Sequence, residues 1–194
     1  METITHMKKT TGQIRIIGGL YKRTPLAVNH SPGLRPTPSR VRETLFNWLG
    51  QDLSGWHCVD AFAGSGALGF EAASRSAHQV LLCEQDAALV AQLQAVKTKL
   101  QASRVSIERG DGLACLGRLA PGSVQLIFLD PPFESALYEP ALRACSQALS
   151  DSGYVYLESA RAWSDEELTR FGLQIHRRAQ AGAVHFCLLS VVPA

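Results

Sequence analysis

The segment richest in chemistry is Asp130-Pro131-Pro132-Phe133, which follows the apolar run Leu126-Ile127-Phe128-Leu129. Two consecutive prolines restrict the backbone and remove two N–H donors. The Asp130 carboxylate and the Pro131 carbonyl then stand as acceptors in a stiff frame, with Phe133 as an aromatic plate beside them. Acceptors plus a plate suit a planar base bearing an amino group, because hydrogen bonds hold the amine while the ring stacks. Asp130, Pro131, Pro132 and Phe133 are the candidate catalytic residues.

A second cluster lies upstream in Asp60-Ala61-Phe62-Ala63-Gly64-Ser65-Gly66-Ala67-Leu68-Gly69. Gly64, Gly66 and Gly69 have the GxGxxG spacing of a dinucleotide-binding turn, while the absence of a following Lys excludes a P-loop. Asp60 would repel a pyrophosphate and suit a ligand with positive charge, such as an amino-acid ammonium. Glu84, twenty residues past Gly64, can accept two ribose hydroxyls, a feature that NAD and S-adenosylmethionine sites share. Asp111, between Gly110 and Gly112, either meets an adenine amino group or caps the next helix. The candidate cofactor residues are Asp60, Phe62, Ala63, Gly64, Ser65, Gly66, Glu84, Gln85, Asp111 and Gly112.

These residues need strands that end beside them. Apolar patterning predicts strands at His57–Phe62, Gln79–Glu84, Val105–Glu108, Val124–Leu129 and Tyr154–Glu158. Helices are expected at 66–76, 86–101, Leu113–Leu119, 137–149 and near 164–170. Such repeated βα units imply a mostly parallel sheet with helices on both faces. Ligands bind such sheets at the carboxyl ends of the strands, where both clusters fall. Two closing strands, Leu173–Arg178 and Val184–Val191, imply an antiparallel hairpin at one edge. Upstream, Ile14–Ile17 and Pro25–Val28 read as short strands around a Gly18-Gly19 turn. A loop at 31–36 leads to a helix with Thr37 as N-cap, Pro38 first, apolar Val41, Leu45, Trp48 and Leu49 on one face, and Gly50 as its stop.

The 194 residues suffice for one ordinary domain, and 46% hydrophobic with 19% charged residues describes a globular chain. No stretch has the apolar length of a membrane helix and the start has no apolar signal core, so the expected location is the cytoplasm. The five cysteines form no CxxC and no zinc spacing; they read as buried thiols, and no metal is expected. The net charge of +2 hides an asymmetry: residues 1–50 carry +6 and the remainder −4. A basic end on an acidic body suggests an anionic partner. The division expected is a flexible tail at 1–11, a basic extension at 12–50 and a catalytic domain at 51–194.

These motifs resemble the S-adenosylmethionine-dependent methyltransferases. Asp60–Gly66 is similar to their motif I, Glu84 to the ribose acid, Asp111 to the adenine-side acid, and Asp130–Phe133 to the (Asp/Asn/Ser)-Pro-Pro-(Tyr/Phe) motif of enzymes that methylate planar amino groups. A narrower resemblance runs from about residue 12 to 190 and is carried by Arg15–Gly19, Gly33–Thr37, Arg40–Leu49 and Phe62–Gly69. These resemble the RsmD-type bacterial 16S rRNA guanine-N2 methyltransferases. Phe70 and Ala73 stand where that family commonly has leucine. The resemblance implies an α/β, Rossmann-like methyltransferase fold whose seven-stranded, mostly parallel sheet has order 3-2-1-4-5-7-6 with one antiparallel strand. It implies S-adenosyl-L-methionine as cofactor and methylation of N2 of a single guanine, guanine 966, in 16S rRNA of the assembled 30S subunit by a monomer. Arg15, Lys22, Arg23, Arg35, Thr37 and Arg40 are the candidate RNA contacts. Rival readings are a DNA adenine or cytosine methylase, a protein-glutamine methylase, an NAD-dependent oxidoreductase and a catalytically silent RNA-binding factor.

Overall fold

A computed structural model describes residues 12–28, 37–132 and 136–193. The candidate residues Arg35 and Phe133, the loop at 31–36 and the expected tail at 1–11 lie outside the described residues. The chain opens with a two-stranded antiparallel hairpin, β1 (Gly12–Arg15) and β2 (Pro25–Val28), followed by α1 (Ser39–Trp48). Strands and helices then alternate: β3 (His57–Asp60), α2 (Ala67–Ser74), β4 (Gln79–Glu84), α3 (Ala87–Leu100), β5 (Val105–Arg109), α4 (Gly112–Gly117), β6 (Val124–Leu129), α5 (Tyr138–Ala148) and β7 (Leu149–Ser159). The chain closes with α6 (Asp165–Thr169), β8 (Leu173–Ala181) and β9 (Val184–Val191). The main sheet has order β5-β4-β3-β6-β7-β9-β8. Counted from β3 as the first strand, this is the expected 3-2-1-4-5-7-6. β3 to β7 pair in parallel, and β9 runs antiparallel to both of its neighbours.

The central strands are apolar on both faces because helices cover both. Val124-Gln125-Leu126-Ile127-Phe128-Leu129 is buried almost throughout. On one face Phe128, Tyr156, Phe186 and Leu82 pack against Val41, Leu45 and Phe46 of α1 and Phe70 of α2. On the other, Ile127, Leu129, Val155 and Leu157 pack against Cys115, Leu142, Cys145, Trp163 and Leu168. All five cysteines are free and buried. Ile16, Leu26 and the apolar face of α1 belong to the first of these cores, so residues from the 12–50 extension share their interior with the sheet. No helix of the described residues is long and apolar enough to cross a membrane.

Three local expectations are corrected. β1 ends at Arg15, not Ile17, because Ile16 turns into the core and the N–H groups of Ile17 and Gly18 donate to the Glu71 carboxylate, at 2.8 Å each. Helix α1 starts at Ser39 with Pro38 in the cap position and no side-chain cap, so Thr37 does not cap it. β7 begins at Leu149, directly after α5; its polar start, Ser150-Asp151-Ser152, carries no apolar alternation to announce a strand.

Candidate active site

Each of the five parallel strands delivers one carboxylate to the carboxyl edge of the sheet. In spatial order these are Asp111 after β5, Glu84 on β4, Asp60 on β3, Asp130 after β6 and Glu158 on β7. Ion pairs among the described residues are Arg42–Glu71, Arg75–Glu71, Arg118–Glu108 and Arg161–Glu167, so none of the five has a basic partner there. No group of acids, histidines and cysteines among the described residues is arranged to hold a metal ion.

The glycine-rich turn is built around two of these acids. Asp60 is 3% exposed, and its Oδ2 accepts the Gly69 N–H at 3.1 Å, tying the strand end to α2. Burial pushes its carboxyl up to about 7; the Gly69 and Phe62 N–H groups oppose the shift, while Glu84 and Glu158 add to it. Glu84 reaches back so that Oε2 accepts the Gly64 N–H at 2.9 Å, while Oε1 accepts the Asp86 N–H at 2.8 Å. A carboxylate has about four lone-pair sites, so two remain for a diol. Gly64 and Gly66 have φ of +52° and +76°, the left-handed region that favours glycine. At Gly69 a Cβ would stand 2.0 Å from Leu82 Cδ2, so the bare backbone lets α2 lie against β4. Ala63, Gly64, Ser65 and Gly66 are buried, Phe62 is half-buried and Gln85 is exposed.

Asp111 takes the capping alternative: its Oδ1 accepts the Ala114 N–H at 2.8 Å at the start of α4. The side chain is exposed, which leaves Oδ2 open. Gly112 is buried, and a Cβ there would lie 2.3 Å from the Ala61 carbonyl oxygen. The β5–α4 turn is thereby held against the β3–α2 turn.

Asp130 is half-buried, Pro131 is buried and Pro132 is exposed. Burial holds the Asp130 carboxyl well above the usual range, with Glu158 and then Asp60 adding to the effect. Glu158 was not singled out in the sequence, although it ends the expected strand Tyr154–Glu158. It is 3% exposed, and its Oε1 accepts the Tyr156 hydroxyl at 2.7 Å. Burial raises its carboxyl as well, and hydrogen bonds from Tyr156 and Thr37 hold it down. Tyr138 completes the group: its hydroxyl donates to the Glu158 carbonyl at 3.2 Å, and burial together with Asp130 and Glu158 raises the phenol to about 12.

Thr37, expected among the RNA contacts, is 4% exposed and reaches Glu158, so the start of α1 lies over the acidic site. Arg40, in the first turn of α1, is exposed, as are Arg15, Lys22 and Arg23. The Arg15 guanidinium donates to the Arg23 carbonyl at 3.4 Å, which brings these two together. Arg42, one of the eight N-terminal bases, is wholly buried against Glu71.

The donors and acceptors fit a cationic nucleoside ligand. Uncompensated carboxylates favour positive charge, Glu84 retains acceptor capacity for hydroxyls, and the positive-φ glycines bring backbone close to the space before α2.

Comparison with known proteins identifies the family. The family described as Conserved hypothetical protein 95 matches residues 14–190. Ribosomal RNA small subunit methyltransferase D of Escherichia coli (strain K12) is 38% identical over 180 residues, covering 92% of this chain and 90% of that protein. The protein of the same name from Haemophilus influenzae is 40% identical over 158 residues, covering 77% of this chain and 80% of that one. The solved structure of yhhF from Escherichia coli superimposes with a TM-score of 0.77 at 37% identity, covering 93% of this chain and 98% of that chain. With this match over residues 14–190, this identity over nine-tenths of both chains and the expected sheet order, the chain belongs to this family, the RsmD-type ribosomal RNA methyltransferases.

Proposed function

We propose that this protein methylates the exocyclic N2 of one guanine, guanine 966, in 16S rRNA of the assembled 30S subunit, using S-adenosyl-L-methionine, as a cytoplasmic monomer. The observation that carries the reading is Asp130: a half-buried carboxylate with no basic partner among the described residues, fixed by two prolines between Asp60 and Glu158. The relatives' names supply the RNA.

The amino group of guanine is a poor nucleophile because its lone pair is delocalised into the ring. The chemistry supplied by the bound cofactor is an electrophilic methyl carried on a sulfonium leaving group. Asp130 and the Pro131 carbonyl accept the two amino N–H bonds and draw the nitrogen toward tetrahedral geometry. Positive charge develops on that nitrogen as it gains the methyl, a fixed carboxylate stabilises it, and loss of one N–H proton returns the product amine to neutrality. Phe133 stacks on the base. Glu84 takes the ribose hydroxyls, Asp111 and Gly112 the adenine edge. Asp60, Phe62, Ala63, Gly64, Ser65 and Gly66 enclose the amino-acid end, with Gln85 beside the ribose. Arg15, Lys22, Arg23, Arg35 and Arg40 contact phosphate, which makes 12–50 the RNA-facing extension of the 51–194 body.

Methyl transfer from labelled cofactor to 30S particles lacking the modification, to free 16S rRNA and to duplex DNA tests the reading. N2-methylguanosine from 30S, identified by mass, is the expected product. Label in DNA or protein, or none despite bound cofactor, would overturn the rRNA reading.

A further inference from the structure

The carboxyl edge of the sheet reverses its charge just beyond Glu158. There a pocket of about 250 Å³ opens, lined by Arg161, Arg178, His185, Gln180 and Ser159 over an apolar wall that includes Trp163, with no acidic side chain in the lining among the described residues. Strand register assembles it. Arg178 stands opposite Cys187, and Gln180 and Ser159 both stand opposite His185, so these side chains share one face of β7, β9 and β8. Arg178 and Arg161 are exposed. Arg161 covers the Trp163 ring at 4.0 Å and pairs with Glu167 at 2.9 Å, whereas Arg178 has no ion pair among the described residues. The Trp163 indole N–H is buried without a hydrogen-bond partner, a costly state for a donor.

The pocket adjoins the acidic site. Tyr138, whose hydroxyl bonds the Glu158 carbonyl, packs its ring 5.9 Å from that of Trp163. Tyr138 thus touches both the backbone of Glu158 and the Trp163 ring of the pocket wall. The N-terminal hairpin lies toward the other end of the sheet, where the Gln92 amide on α3 donates to the Ala27 carbonyl of β2. Cationic groups therefore stand on both sides of an acidic centre.

We infer that this pocket receives a phosphodiester of the RNA strand next to the target guanine, with Arg178 as its principal cation and Arg161 as its second. The inference rests on the rRNA reading above. A base that enters between Asp130 and Glu158 brings backbone phosphates with it, and those phosphates cannot lie against the same carboxylates. The Arg178 pocket offers them a cationic wall on the β7 side, where Glu167 pairs with Arg161 and the Asp165 carboxylate is held by the Ile175 N–H. Its volume is small beside ordinary ligand pockets, which suits one nucleotide unit of a chain rather than a free cofactor.

The test compares the parent protein with Arg178→Ala, Arg178→Lys and the Arg161→Ala/Arg178→Ala pair on 30S particles lacking the modification. Arg104→Ala, an exposed site before the amino end of β5, is the control. We expect KM for 30S to rise about tenfold in Arg178→Ala and further in the pair. The slope of log kcat/KM against log salt should become shallower by about 0.7–0.9 per lost phosphate contact. Arg178→Lys should keep the parental slope. Cofactor affinity, kcat and Tm should stay within error, which excludes misfolding. Unchanged KM and slope in the pair, with rRNA methylation intact in the parent, would overturn the pocket assignment alone. A parent that methylates no RNA would overturn the rRNA reading and this inference with it.

Discussion

Asp130 and Asp60 are both acids at strand ends, yet they do different work. Asp60 spends its acceptor capacity on the backbone of its own turn, whereas Asp130 sits half-buried before Pro131 with no basic partner among the described residues, its ionisation opposed by burial and by Glu158 and Asp60. We expect Asp130→Ala to abolish measurable transfer, beyond the 10²–10³-fold loss usual for one electrostatic partner, while cofactor affinity measured by calorimetry changes little. An active variant would remove Asp130 from the mechanism. Asp60 gives a pH signature. Its folded pKa of about 7 lies above the ordinary carboxylate value, so the folded state holds the proton more tightly than the unfolded one. Its contribution to stability is then complete in acid and is lost as pH rises through about 7. Asp60→Asn keeps an acceptor for Gly69 but cannot ionise. We expect Tm of the ligand-free protein to fall between pH 5 and 8 more steeply for the parent than for Asp60→Asn; parallel profiles would contradict the burial argument.

At the scale of elements, the βα alternation was legible because each strand and helix has its own period, and the strand ends located Asp60, Glu84, Asp111 and Asp130 directly. Helix α2 shows how one residue sets an element's position. Its Gly69 has a helical backbone any residue can adopt, but the 2.0 Å approach to Leu82 Cδ2 leaves no room for a side chain. Gly69→Ala should cost about 1–3 kcal/mol through overpacking and weaken cofactor binding by shifting the glycine turn; a cavity-neutral result in thermal unfolding would show that α2 can slide. Asp111 is the counterexample to reading motifs as ligand residues only, since it caps α4. Asp111→Asn should preserve the cap and Tm, whereas Asp111→Ala should lose about 1 kcal/mol. A shift in cofactor affinity in both variants would separate an adenine contact from the capping role.

Across the molecule, the N-terminal segment is fastened to the sheet by a buried charge cluster. Glu71 pairs with Arg42 at 3.3 Å and with Arg75 at 2.9 Å, and also accepts the N–H groups of Ile17 and Gly18. Arg42 further donates to the Arg15 carbonyl at 3.0 Å. Burial lowers the Arg42 guanidinium pKa and Glu71 opposes the shift. Removing Glu71 leaves two guanidinium groups without their counter-ion in the interior, so Glu71→Gln should destabilise the fold by about 3–5 kcal/mol and expose residues near Arg15 to proteolysis first. Uniform unfolding without early cleavage there would mean that the segment is held by its apolar contacts alone. The same cluster changes how the charge asymmetry reads. One of the eight N-terminal bases is structural, so the surface excess is smaller than the sequence count suggests.

The sequence by itself determined the alternating α/β order, the glycine turn, and the strand-end acids from Asp60 to Asp130, because each depends on local periodicity and on residues adjacent in the chain. Only the tertiary structure decided that Glu158 joins Asp130, that Thr37 serves this carboxylate rather than a helix cap, that Arg42 is an interior ion, and that Arg161 and Arg178 line one pocket. Those groupings join positions distant in sequence. They follow from strand order and from how deeply a polar side chain is buried, and neither is written in the spacing of neighbouring residues.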